Sequence, residues 1–244
     1  MPFRRRLAAL VGLVVIVAVV IGGLLAGGLL GNQAGGKGIE DVQLLDPPRS
    51  PAQSGLQAGP EVGRLAPDFE ISAFDGSRHR LSDFRGKVVY LNFWGTWCTP
   101  CLFEMPDIQQ LLDRYGERLA VVSVNRRNKL SDAEQYLQEL PRTDGGTGVS
   151  FTVNGMDPAD TLYDTYVKLY PPPMPVSIFI NAEGVISHVY NGLVRLPQME
   201  QSVSEGLAST SAARNDVAAG AGDGHPPAYV AGLEAIARVT VRTG

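Results

Sequence analysis

The chain has 244 residues, 44% of them hydrophobic and 19% charged, with a formal net charge of −4. That length holds one large domain or two small ones, and a balance so close to neutrality gives no reason to expect nucleic acid as a partner. Two cysteines in the whole chain exclude a scaffold stapled by several disulfides.

In chain order, Arg4, Arg5 and Arg6 come first and precede "LAALVGLVVIVAVVIGGLLAGGLLG", residues 7–31, a run without a single charge. A helix rises about 1.5 Å per residue, so a run of this length crosses a hydrocarbon core of roughly 30 Å. Basic flanks stay cytoplasmic, so residues 1–31 read as a single-pass anchor in the cell membrane, with the N-terminus cytoplasmic and the rest of the chain extracytoplasmic. The rival is a cleaved signal peptide, whose apolar core is usually only ~7–15 residues long and is followed by a small-x-small cleavage site. Gly23, Gly27 and Gly31 fall four apart, as a helix-packing face or as a plain glycine-tolerant span. No cysteine follows the run, so lipid attachment there is not available.

Residues 32–62, rich in Gly, Pro, Ser and Gln, read as a flexible linker. From 63 the texture changes. "APDFEISAF", the turn "DGS" and "HRLSDF" predict a β-hairpin, and "RGKVVYLNFWG" predicts a buried central strand. Apolar residues at 102, 105, 108, 111 and 112 are spaced as on a helix that ends at Gly116. "LAVVSVN" is a second buried strand, and Ser131 with Glu134 predicts a capping box for the next helix. "VSFTV" reads as a short strand, and "DPADTLYDTYVKLY" as a helix stopped by "PPP". "VSIFIN" and "VISHVYNG" form a second hairpin, followed by a helix starting near Pro197. The whole is an α/β domain over 63–207, with a central mixed sheet flanked by helices and an N-terminal hairpin. Residues 208–244, dominated by Ala, Gly, Ser and Asp, read as a disordered tail, with a weak amphipathic period in "AYVAGLEAIARV".

Both cysteines lie in "NFWGTWCTPCLFEMP", residues 92–106. Cys98 and Cys101 enclose only Thr99 and Pro100, and so short a loop constrains the unfolded chain little, which makes a purely structural bridge a poor explanation. A zinc site needs two more ligands, and His79, His188 and His225 are scattered along the chain; no metal site is expected, although a copper site with a distant histidine stays open. A redox pair explains more. It follows a buried strand and opens a helix, where unpaired N–H groups and the helix dipole stabilise a thiolate. Cys98 should sit at the exposed start as the nucleophile, and Cys101 one turn in, more buried, as the resolving thiol. Pro100 fits because the first helical turn has no N–H partner to lose.

"APDFEISAFDGSRHRLSDFRGKVVYLNFWGTWCTPCLFEMP" closely resembles the membrane-anchored thioredoxin-like proteins of the TlpA/ResA type, over about residues 62–205. The resemblance rests on APDF, the GK before the strand, NFW, WC-x-x-C and the following E-x-P together. It implies a thioredoxin-like fold and thiol–disulfide exchange without a cofactor. Many relatives reduce apocytochrome c before haem attachment, and others serve copper-site assembly in respiratory oxidases. The expected partners are therefore a protein disulfide substrate, apocytochrome c being one, and a membrane protein that donates electrons.

The resemblance also places a functional carboxylate at Glu104, three residues after Cys101, where the alternative is a solvated helix glutamate. Asn92 stands where general thioredoxins often carry an aspartate; an amide cannot take up a proton, which leaves Glu104 as the better relay. Trp94 and Trp97 are expected to pack around the site, with Trp97 also shaping its surface. Pro175 should be a cis-proline beside the cysteines, and Met174 should offer its backbone to an extended substrate. Three prolines before Met174, and Val176 with Ser177 in place of two threonines, depart from the family pattern, so Pro173 is an alternative cis residue. The leading function is a reductase of protein disulfides in cytochrome c maturation. The alternatives are an oxidase of the same fold and a copper-holding assembly factor. A peroxidase would want P-x-x-x-T-x-x-C, which the chain lacks.

Overall fold

The computed structural model describes residues 42–50, 53–167 and 174–220, with 210–220 as backbone alone, and all of them fall in one compact unit, Ile39–Gly244. The expected anchor over 1–31, the start of the linker, the Pro171–Pro173 run and the "AYVAGLEAIARV" stretch lie outside the described residues. Among those described, no helix is long and apolar enough to cross a membrane.

Strands β1 (Gln43–Leu45), β2 (Asp68–Ser72) and β3 (Arg78–Arg80) make a three-stranded antiparallel sheet in that order. The hairpin of β2 and β3 was expected; β1 falls in the presumed linker. Val42 is the reason, because its side chain is buried in the core while Leu44 pairs with Phe69 at the hairpin edge. Further along, Gln53 Nε2 donates to the Glu183 carbonyl at 2.8 Å, and Leu65 N to the Gln57 carbonyl at 3.1 Å. Polar composition hid a segment that is tied down by its backbone and a few apolar contacts.

The main sheet contains β4 (Val88–Trp94), β5 (Leu119–Asn125), β6 (Val153–Met156), β7 (Val176–Ile180) and β8 (Ile186–Asn191) in the order β6-β5-β4-β7-β8. β4, β5 and β6 run parallel, and β7 and β8 are antiparallel, as the strand and helix alternation predicts. Every residue of β4 and β5 is buried, because helices and the small sheet cover both faces and leave no solvent side to alternate with. Successive side chains still point to opposite faces. Val89, Leu91 and Phe93 enter one core with Phe69 and Tyr166; Val88, Tyr90 and Trp94 enter the other, with Met105, Ile108 and both cysteines. Asn92 therefore points to the cysteine side.

Helix α1 (Thr99–Tyr115) follows β4, α2 (Leu130–Glu139) follows β5, α3 (Thr161–Val167) follows β6, and α4 (Leu196–Gly220) closes the chain. Gly116 ends α1 at φ 53°, a conformation that glycine adopts without a Cβ clash, and its N–H bonds the Leu112 carbonyl. The capping box does not form. Lys129 is the N-cap of α2 without a side-chain bond, and Ser131 instead donates to Asp132 at 3.1 Å from within the helix. β6 begins at the last residue of "VSFTV", where Val153 aligns with Val122. α4 runs beyond the boundary expected at 207, because the alanines of 208–219 favour helix more than their polar neighbours oppose it.

Candidate active site

The site starts at the N-terminus of α1. Cys98 is the N-cap, with φ −98° and ψ 92°, and Pro100 sits in the first turn, where no intrahelical N–H bond is lost. Cys98 and Cys101 are joined by a disulfide with Cα atoms 5.4 Å apart. Cys101 is fully buried, as expected, but Cys98 is also buried at 4% exposure. The exposed surface is made by its neighbours Trp97, Thr99 and Pro100. Trp97, half exposed, lays its indole over Gly95, where an added Cβ would come within 2.6 Å of the ring. Gly95 thus lets the indole fold back on the backbone just before the disulfide. Trp94 is wholly buried and stacks on Tyr136 at 5.6 Å, which makes it a packing residue.

Glu104 is not a solvated helix glutamate: its side chain is fully buried. Spacing of three on α1 keeps it on the same side of the helix as Cys101. Its Oε1 accepts from Asn92 Nδ2 at 2.7 Å, and its Oε2 from the Val194 N–H at 3.3 Å. Two donors, one of them long, do not replace the water that an ionised carboxylate would keep. Burial accordingly pushes the carboxyl up to about 8, against the Val194 and Asn92 hydrogen bonds, with Asp107 adding to the rise. Asn92 in turn reaches Ser177 Oγ at 3.4 Å, and Ser177 bonds the Tyr90 hydroxyl at 2.9 Å. Burial, and after it Glu104, pushes Tyr90 well above its ordinary value, so its hydroxyl stays neutral. A buried polar row, Tyr90–Ser177–Asn92–Glu104, thus runs beneath the N-terminal half of α1.

The Met174–Pro175 peptide is cis. Met174 is half-buried and packs against the core that contains both cysteines, and the Pro175 carbonyl accepts from Gly192 N at 2.8 Å. Sequence reasoning missed Ser177, Tyr90 and Val194. A serine inside the apolar run "VSIFI" is a visible signal for the first, since β7 pairs Ser177 with Asn92; Val194, in a loop, carries none. Phe103 and Leu193, 57% and 39% exposed, were also missed. Phe103 adjoins Glu104 and Leu193 adjoins Val194 in sequence, so each end of that hydrogen bond has an exposed apolar neighbour along the chain. Among the described residues, no three His, Cys, Asp or Glu side chains gather around a point that a metal ion could occupy.

A paired C-x-x-C disulfide capping the helix that follows a central parallel strand, in a sheet completed by an antiparallel β7–β8 hairpin, defines a thioredoxin-like thiol–disulfide oxidoreductase. The chain belongs to the AhpC/TSA family, whose family model matches residues 62–189. The thiol-disulfide oxidoreductase ResA of Geobacillus thermodenitrificans is 32% identical over 141 residues, covering 57% of this chain and 75% of the relative. The thioredoxin-like protein YneN of Bacillus subtilis is 32% identical over 147 residues, covering 60% and 81%. A crystal structure from Chlorobium tepidum, provisionally named thiol:disulfide interchange protein DsbE, superposes with a TM-score of 0.50 at 30% identity, covering 60% of this chain and 98% of that one.

Proposed function

We propose that the protein is a membrane-anchored, extracytoplasmic reductase of protein disulfides, with Cys98 as attacking thiol, Cys101 as resolving thiol and Glu104 as their proton carrier. The observation that carries this reading is the buried Glu104 carboxyl, held close to neutrality one helical turn from Cys101. A general acid–base group works best with its proton affinity near the working pH. Having given up its proton, Glu104 also opposes a second negative charge nearby. The dithiol state then lacks the thiolate stabilisation that makes a disulfide strongly oxidising, which favours reduction of the substrate.

The Cys98 thiolate attacks one sulfur of the substrate disulfide, forms a mixed disulfide and expels the other sulfur as a thiolate, which takes up a proton. Glu104, a neutral acid at the start, supplies that proton by way of solvent, and the carboxylate so formed takes the Cys101 proton as Cys101 attacks Cys98 Sγ. The Cys98–Cys101 disulfide forms, and the second substrate thiolate leaves and is protonated. A dithiol-bearing membrane protein must then return two electrons and two protons to the pair. Exposed Trp97 and half-buried Met174 receive the substrate chain, with buried Pro175 following Met174 in the same cis peptide, and the exposed Phe103 and Leu193 supply further apolar surface. The resemblance of residues 62–205 to the TlpA/ResA type supports a place in cytochrome c maturation, with apocytochrome c as substrate.

Trapping tests the roles. Cys101→Ser removes the resolving thiol, so mixed disulfides between Cys98 and substrate proteins should accumulate, and Cys98→Ser should accumulate far fewer. Equal trapping by both variants would refute the assignment.

A further inference from the structure

Two residues before Cys98, the backbone is held by a side chain from another loop. Asn128 Oδ1 accepts the Thr96 N–H at 2.9 Å, and Asn128 Nδ2 donates to Thr96 Oγ1 at 2.7 Å. Asn125 Nδ2 donates to the same Oδ1 at 3.1 Å, so two donors fix which end of the amide faces Thr96. The turn that Asn128 holds is tight: Cys98 N bonds the Gly95 carbonyl at 2.9 Å, while Arg126 N bonds the Trp94 carbonyl at 3.0 Å. We propose that Asn128 is a positioning residue for the redox pair, fixing the Gly95–Trp97 loop and thereby keeping Cys98 at the N-terminus of α1.

The loop carrying Asn128 is itself clamped. Buried Arg126 donates through Nε to Asp160 Oδ1 at 2.8 Å and lies 3.2 Å from the centre of the Tyr163 ring. Arg127 donates to Asp160 Oδ2 at 2.7 Å. Burial pushes the Asp160 carboxyl up, but the two arginines outweigh it and hold it below its ordinary value, so the clamp stays charged. Arg127 and Asp160 both adopt positive φ, 61° and 58°, which residues other than glycine keep only where surrounding contacts impose it. Arg127, two positions after Asn125 at the end of β5, and Asp160, three positions after Asp157 just beyond β6, are ion-paired in this conformation and so hold the loop from which Asn128 reaches Thr96. The Asp157 N–H to Asn125 carbonyl bond at 2.9 Å joins the two loops at their base.

The inference rests on Cys98 being the attacking thiol, and its test uses no substrate protein. The reduced full-length protein is alkylated with iodoacetamide at fixed pH, and modification at Cys98 is followed by peptide mass spectrometry. Asn128→Ala removes the tie, so Cys98 leaves the helix N-terminus for part of the time and its thiolate loses the stabilisation that the free N–H groups and the dipole supply there. Alkylation should slow by about tenfold, the effect of one or two lost hydrogen bonds. The dithiol–disulfide equilibrium should shift by a similar factor toward the disulfide, about 30 mV. Thr96→Val, which loses only the side-chain acceptor, should react more slowly than Thr96→Ser, which keeps it. Rates and potentials within about twofold of the wild type in folded Asn128→Ala would overturn the proposal. If that variant does not fold, equal rates in Thr96→Val and Thr96→Ser overturn it. Wild-type alkylation falling on Cys101 instead would sink the assignment of Cys98 as attacking thiol, and Asn128 would then be judged by the shift in potential.

Discussion

Glu104 shows how one residue links stability to chemistry. In the unfolded chain its carboxyl ionises at the usual low pH, and in the folded chain burial holds it protonated up to about 8. A folded value raised above the unfolded one means stability that is fully present at low pH and is lost as pH rises to the folded value. The wild type should therefore lose on the order of a few kcal/mol between about pH 5 and 8 that Glu104→Gln, which cannot ionise, does not lose. Denaturant unfolding of the oxidised wild type and variant across that range measures it, and parallel curves would show that Glu104 does not titrate between the two states. Reductase activity should fall in the variant because the proton carrier is gone. The position of Glu104 was legible in the sequence, from its spacing after Cys101 and the family resemblance. Its burial was not, because it depends on how β4 lies under α1 to present Asn92 and on Val194, in a loop 90 residues further along the chain.

At the scale of elements, the strands β4 and β5 and the helix α1 were legible because each carries a long signal: unbroken β-branched runs, or apolar residues at helical spacing closed by Gly116. Short signals failed. The Ser131–Glu134 pair lost its capping role because the loop before α2 is committed to Thr96 and Asp160 instead. Three residues of β1 were hidden inside a polar stretch, since their pairing partner, β2, supplies most of the reason for the strand. The contrast between two neighbours tests β1. Val42→Ala, in the core, should cost roughly 1–2 kcal/mol, while Leu44→Ala, 49% exposed, should stay within about 0.5 kcal/mol. Equal and negligible losses in thermal unfolding would return this segment to the status of a tether.

For the whole molecule, the proposal joins a charge-free run at residues 7–31 to a redox domain that needs an electron donor. On that proposal Arg4–Arg6 stay on the cytoplasmic side and the domain would lie outside, where disulfides persist and a membrane protein could re-reduce the pair. A reporter that is active only after export, fused at the C-terminus, should be active and should sediment with membranes. A reporter active only in the cytoplasm, or a soluble mature form, would contradict the anchor. The C-x-x-C motif and its sequence context made the reaction class legible from one segment. The direction of electron flow was not, because it depends on the charge and burial around the two sulfurs, which are set by residues from β4, β7 and the loop at Val194. The reduction potential of the Cys98–Cys101 pair, measured by equilibrating the protein with glutathione buffers near neutral pH, tests that direction most directly. The account predicts a value more negative than roughly −200 mV, and a value near about −120 mV, where a strongly oxidising pair sits, would contradict it.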